Sequence, residues 1–364
     1  MLSLQDLTSI SRELRDEHVL TVYLDAGFDD PALRAAWRAE IDGSIRNIRR
    51  RIAAASHAEK ASFEYCVELL NHQFSAFADG VGAPGWLAFI TVHGVRVSER
   101  VRSPMPTMVL WTIGACIAPY VRALKQERPV VVIVADASHT RLYRYVAGTL
   151  EPAETISADA TVVEPAHMGD APRLGFHSGT RGTTGRDASQ RARHVATDRM
   201  IEDVTRRTIA MAGHDGWIIV TGIPEVGAHI ARALEQLAIS RVLHLDGVDV
   251  HATDAAVRAA AERGASQLRD EMDLRRVAEI TGESNDHRLV ACGPVATRKA
   301  LERASVRELY VTPRFVEGHL AEAEYSVRAA IAQNAAVEEV SRAAAQRLDQ
   351  FGGVGARLRF AVRT

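Results

Sequence analysis

Val130-Val131-Val132-Ile133-Val134-Ala135-Asp136 marks the centre of a buried sheet. A continuous apolar run of this length, rich in β-branched residues and ended by an acidic turn, reads as a strand buried on both faces. After Ser138-His139, the segment Thr140-Arg141-Leu142-Tyr143-Arg144-Tyr145-Val146 alternates and predicts its hairpin partner. Trp217-Ile218-Ile219-Val220-Thr221-Gly222 predicts a second core strand. It is followed by a helix over 225–237, a strand over 242–245 and a helix from Thr253 to about Glu279. Upstream, Val19–Leu24 reads as a strand ending at Asp25-Ala26-Gly27. Pro31 opens a helix running to about Ala55, and a second helix spans about 58–78. Trp86–Val92 turns at His93-Gly94 into the strand Val95-Arg96-Val97, and 119–124 reads as a short helix before a polar linker. The final segment begins near Leu289 with strand, helix and strand, and closes with a strand over 356–362. Strands alternating with helices predict an α/β protein of mixed sheets flanked by helices. The segmentation predicts three domains, 1–126, 127–280 and 281–364, with no internal repeat.

Composition narrows the function. With 364 residues and 47% hydrophobic content, the chain has material for several cores. The net charge of −2 means that any basic surface must be local. Only Lys60, Lys125 and Lys299 are lysines among 44 basic residues. GC-rich codon usage is the bland reading of that bias; physically, arginine's fork suits phosphate. Cys66, Cys116 and Cys292 lie far apart and form no CxxC, which fits a reducing cytoplasm and argues against a disulfide framework. No basic region followed by an apolar run opens the chain, and no membrane span is expected.

The loop GFHSGTRGTTGRDASQ, residues 175–190, holds four glycines, three threonines and two serines, so it is expected to be exposed and mobile. Ala192, Ala196, Met200 and Val204 then recur every four residues, as on a helix face packed against a core. From His177 to Arg199 there are five arginines against two aspartates. His177, Arg181, Arg186, Arg191, Arg193 and His194 are therefore candidate contacts for RNA phosphates, which recognise shape rather than sequence. The competing reading is a solvated basic loop. Arg46, Arg49, Arg50 and Arg51 form a second basic cluster on the helix after Pro31, and an exposed charged helix face explains it as well as RNA does.

Three segments carry a family resemblance. Ala188-Ser189-Gln190, with Ala192, Ala196, Arg199 and Met200 following, resembles the Gly-Gly-Gln loop and helix of archaeal and eukaryotic class I release factors. His287–Gly293 through Thr297-Arg298-Lys299-Ala300-Leu301 to Val306–Val311 looks like a unit of their third domain, which is ribosomal-protein-L7Ae-like. Phe351-Gly352-Gly353-Val354-Gly355-Ala356-Arg357-Leu358-Arg359-Phe360 is similar to their closing strand and is the most specific of the three. The chain thus resembles bacterial members of the release factor/Pelota superfamily, which include ribosome hibernation factors of the Balon type. The resemblance implies a three-domain release-factor-like architecture and a cytoplasmic, ribosome-binding factor acting in the A site during hibernation or rescue. It also implies a translational GTPase as partner. No Asn-Ile-Lys-Ser motif is present, so stop-codon reading is not expected.

The resemblance also makes Gln190 the candidate catalytic residue. A neutral glutamine is no general base at pH 7, but its amide can orient a water towards the ester of peptidyl-tRNA. Peptidyl-tRNA hydrolysis is therefore the alternative function. Against it, Ala188 and Ser189 replace two glycines whose missing side chains let the backbone approach RNA. His244, Asp246, Asp249 and His251 look metal-like, but Gly247 breaks the register between the pairs. Gly352–Gly355 lacks the Lys-Ser/Thr of a phosphate loop, and no GxSxG is present. No metal or cofactor is expected, and the oligomeric state stays open.

Overall fold

The computed structural model describes residues 2–27, 31–77, 81–158, 185–213, 216–237, 241–282 and 289–360. The chain is α/β, with three sheets among the described residues. It divides into two compact units. Met1–Glu127 and Arg269–Thr364 form one, and Arg128–Leu268 the other. The first and third of the expected segments thus share a unit.

The first unit opens with α1 (Leu4–Glu13), β1 (His18–Asp25), α2 (Pro31–Arg51) and α3 (His57–Ser75). Three strands follow, β2 (Gly85–Thr91), β3 (Gly94–Val101) and β4 (Met108–Ile113), and then α4 (Val121–Gln126). Sheet order is β3-β2-β1-β4, and every pairing is antiparallel, so this sheet is not mixed. Alternation sorts β1 onto two cores. Leu20, Val22 and Leu24 pack with Ile41, Ile45 and Phe63 of α2 and α3. Val19 and Tyr23 face a second core shared with Leu309, Val311 and Val327 from the end of the chain. α1 was not expected. Its start is set by a capping box in which the Asp6 amide donates to the Ser3 hydroxyl and the Ser3 amide to the Asp6 carboxylate. Leu7 and Leu14 then bury its apolar face.

The second unit holds β5 (Val130–Ala135), β6 (His139–Val146), β7 (Thr149–Ser157), α5 (Gly185–Ala212), β8 (Trp217–Gly222), α6 (Pro224–Gln236) and β9 (Val242–His244). α7 (Asp254–Ile280) starts there and ends in the first unit. Sheet order is β7-β6-β5-β8-β9, antiparallel through β6 and parallel through β8 and β9. Every residue of β5 and of β8 is buried, as their uninterrupted apolar runs predict. Val131, Ile133 and Val220 pack under Met200 and Val204 of α5 and Ile230 of α6. The opposite face meets α7, which lies so close at Gly264 that a Cβ there would reach Ile219 and Leu245.

The backbone at the end of β8 admits no side chain. Gly222 sits at φ +122°, and a Cβ would collide with the Ala135 carbonyl of the parallel neighbour. Gly222→Ala is expected to destabilise the protein by roughly 2–4 kcal/mol, from strained backbone plus steric collision. Gly148 is also at positive φ (+84°) but faces open space, so Gly148→Ala is the control for backbone strain alone. Urea titrations that give equal losses for the two variants would contradict the steric part.

The last elements are β10 (Val290–Cys292), α8 (Pro294–Glu302), β11 (Val306–Val311), α9 (Pro313–Gly318), α10 (Leu320–Ala332), β12 (Ala336–Glu339), α11 (Arg342–Asp349) and β13 (Val354–Leu358). β13 lies between β10 and β11, antiparallel to both, and β12 runs parallel to β11.

Polar side chains tie this sheet to the first. Glu324 of α10 accepts hydrogen bonds from the Ile117 and Ala118 amides, both at 2.8 Å, and from the Cys116 thiol. Its other oxygen accepts from Arg328 Nε at 2.6 Å, and Arg328 also donates to the Ala115 carbonyl. From the opposite side, Tyr23 donates to the Cys116 carbonyl and Thr21 accepts from the Cys116 amide. Burial and the Glu324 carboxylate push the Cys116 thiol far up, so it is no nucleophile. A second tie is the buried pair of Lys125 and Asp273. Lys125 donates to Asp273 and to the Glu339 carbonyl, while Asp273 also accepts from the Ser341 amide. Burial raises the Asp273 carboxyl above its ordinary value, with Lys125 opposing.

Candidate RNA interface

α5 is 28 residues long, which at 1.5 Å per residue is about 42 Å. Its backbone turns helical at Gly185, so the last six residues of the expected loop belong to the helix. Asp187 near a helix start and the helix formers Ala188, Gln190, Arg191 and Ala192 favour this. It ends at Gly213, whose left-handed φ of +60° lets the Gly213 amide close on the Ile209 carbonyl.

The helix runs antiparallel to β5. Near one end, the Thr197 hydroxyl donates to the Ala137 carbonyl at 2.9 Å, in the turn between β5 and β6, and shares that proton with the Arg193 carbonyl. At the other end, the Gly216 amide donates to the Ala212 carbonyl just before Trp217, whose register partner is Val130 at the far end of β5. Between them, Ala196, Met200 and Val204 are buried, as their spacing predicts. The turns preceding Thr197 therefore run past the β5–β6 turn. Twelve residues separate Gly185 from Thr197, or about 18 Å of helix.

The receiving turn is itself ordered. Asp136 accepts from the Ser138 and His139 amides, both at 2.6 Å, and from the Ser138 hydroxyl. Partial burial works against its charge, but these bonds hold the Asp136 carboxyl below its ordinary value.

His177 and Arg181 lie outside the described residues, as does the loop up to residue 184. Arg186, Gln190 and Arg191 fall on the α5 backbone, whose described side chains begin at Arg193. Arg193, His194 and Arg199 are exposed, and Val195 beside them is 50% exposed. Further along, Arg206 pairs with Asp203 and Arg207 with Glu154, so those two cations are already matched. Among the described side chains of α5 that precede Thr197, Arg193 is an exposed cation whose guanidinium has no hydrogen bond or ion pair to a described residue.

The second cluster sits on α2 in the other unit. Arg49 makes a bidentate pair with Glu64 of α3 at 2.7 and 2.8 Å, and this pairing holds the Glu64 carboxyl below its ordinary value. Arg50 donates to Asn47, and Arg51 to the Trp111 carbonyl. Arg46 is exposed and makes no hydrogen bond or ion pair among the described residues. Of this cluster Arg46 has the freest guanidinium.

The four metal-like residues do not come together as one ligand set among the described residues. His244 lies 3.9 Å from Asp246 and under Gly227, where a Cβ would reach its ring. Asp249 accepts from the His251 amide. Among the described residues no three His, Cys, Asp or Glu side chains come together as metal ligands. Among them, too, no helix is long and apolar enough to cross a membrane.

No protein-family model matches this chain, and no curated protein matches it. Among solved structures it is similar to a ribosome-bound archaeal Pelota seen with ABCE1, at 14% identity and TM-score 0.44, covering 99% of this chain and 95% of that one. It is similar to Dom34 of S. cerevisiae, a translation termination-like factor of RNA quality control that interacts with Hbs1, at 10% identity and TM-score 0.44, covering 76% of this chain and 81% of that one. Pelota of Archaeoglobus fulgidus is similar at 14% identity and TM-score 0.35, covering 77% of this chain and 80% of that one. At these values function rests on the chain's own residues.

Proposed function

We propose that this chain is a cytoplasmic, ribosome-associated factor of the release factor/Pelota type. In this reading it enters the A site in hibernation or rescue and does not read stop codons. In this reading it is of the kind found in the bacterial group that includes Balon. The observation that carries the reading is α5, a long helix fastened to a rigid turn, whose basic projecting end coincides with the segment resembling the release-factor loop. The part of α5 that precedes Thr197 is about 18 Å long, and in this reading its arginines meet rRNA phosphates. The ribosome is thus the proposed partner. A translational GTPase is a second, resting on the third-domain resemblance of 287–311. The divisions 1–126, 127–280 and 281–364 are proposed as the family's three domains. Co-sedimentation with 70S ribosomes from stationary cells, followed by cryo-EM, tests the reading. Occupancy of the A site with α5 against rRNA is expected; absence from the ribosomal pellet at low salt would sink it.

The alternative, peptidyl-tRNA hydrolysis, assigns Gln190 to water positioning. A helical backbone through 188–190 is less open to close RNA approach than a diglycine loop. Purified protein is therefore expected to leave ribosomal peptidyl-tRNA intact, with Gln190→Ala changing affinity little. Losing one positioned polar group in a reaction centre costs on the order of 100-fold or more in rate. Release that Gln190→Ala abolishes, with binding kept, would make the chain a hydrolase.

A further inference from the structure

α1 packs beside α10, with Leu7 and Leu14 in the same core as Ala323 and Val327. Between the two helices lies a cleft of about 800 Å³. Its wall from the start of the chain carries Arg12 and Arg15, with the Thr8 and Ser11 side chains beside them. Its wall from α10 carries the small Ala329 and Ala332 and the ring of Tyr325. Arg328 also lines it, but its guanidinium is taken by Glu324 and the Ala115 carbonyl. Arg12 and Arg15 are exposed and make no hydrogen bond or ion pair among the described residues. Tyr325 is 39% exposed and held in place by Arg298, whose guanidinium carbon lies 5.0 Å from the ring centroid.

We propose that this cleft binds a nucleoside polyphosphate. Two unengaged guanidiniums on one wall suit adjacent phosphates, which they can grip bidentately. The alanines of the α10 wall beside an oriented tyrosine suit a planar base, which needs a wide apolar surface more than hydrogen bonds. The volume lies in the range of pockets that take drug-sized ligands, roughly 300–1,000 Å³. Glu324, the one carboxylate lining the cleft, is already satisfied by Arg328 and two backbone amides, so it does not repel an anion as a free carboxylate would.

The test needs no ribosome, so its outcome is separate from that of the function proposed above. Isothermal titration of the full chain uses GTP, ATP and inorganic pyrophosphate as probes. A nucleotide is expected to bind, and Arg12→Ala and Arg15→Ala each to weaken it about tenfold, the worth of one charge-assisted hydrogen bond. Tyr325→Ala is expected to weaken the nucleotide and leave pyrophosphate unchanged. All three residues are exposed, so melting temperatures close to the parent's are expected. No binding of either nucleotide overturns the proposal, as does an affinity indifferent to the arginine substitutions. Pyrophosphate binding as tightly as nucleotide, with Tyr325→Ala silent, overturns the assignment of a base to the tyrosine wall.

Discussion

The variant carrying Arg181→Ala, Arg186→Ala, Arg191→Ala and Arg193→Ala is expected to bind 70S ribosomes on the order of 100-fold more weakly than the parent at about 0.1 M salt. Each arginine that neutralises a phosphate releases condensed counterions, and each contributes roughly 0.7–0.9 to the slope of log affinity against log salt. Removing four such contacts is expected to flatten that slope by about three units. The two readouts separate causes: a variant that merely disturbs the fold loses affinity without a flatter slope. The net charge of the chain is −2, so no diffuse basic field replaces the lost contacts. An unchanged affinity and slope would mean that α5 and its loop face away from the RNA. The matched substitution Arg49→Ala is expected to change ribosome affinity little, because Arg49 is already paired bidentately with Glu64.

Glu324→Ala is expected to lower stability by roughly 2–4 kcal/mol, because it strips one partner from a nearly buried charged network. The Glu324 side chain is only 14% exposed and satisfies two backbone amides and Arg328 together. Its loss leaves the Ile117 and Ala118 amides unpaired where the chain enters a short helical turn, and leaves Arg328 without its carboxylate. Arg328→Ala is expected to cost less, since the amides keep their acceptor. The double variant is expected to be less harmful than the sum of the two, and the difference measures the coupling. Urea denaturation followed by circular dichroism reads all three. Strict additivity would show that Glu324 and Arg328 act independently and that the pair is not what holds the 114–118 segment.

Much of the fold is legible in the sequence because its signals are local. β5 and β8 announce themselves as apolar runs, and the Ala196, Met200 and Val204 stripe marks the packed face of α5. Elements that bury little are quieter. β7 is mostly exposed and carries Pro152, an edge-strand habit that hides it among loops. β4 is a half-exposed strand that pairs only with β1, and its neighbours Pro104 and Pro106 read as loop. α1 did leave a mark, the Ser3 and Asp6 capping box. The basic character of α5 is visible in the sequence. That Arg206 is matched follows from Asp203 three residues before it, but that Arg207 is matched depends on where Glu154 comes to lie.

The α/β class, the central strands, the long helix with its buried stripe and the charge at its start are all encoded locally. All of these rest on spacings of two to four residues, or on runs, within one element. The closing of the first and last segments on one core is visible in the folded chain alone, through Glu324 reaching the 116–118 backbone and Lys125 reaching Asp273. Those partners stand more than 140 residues apart, and neither carboxylate differs in its local sequence from one on a solvated helix face. Burial makes them matter: away from water each amide and ammonium requires a partner, and the fold brings it.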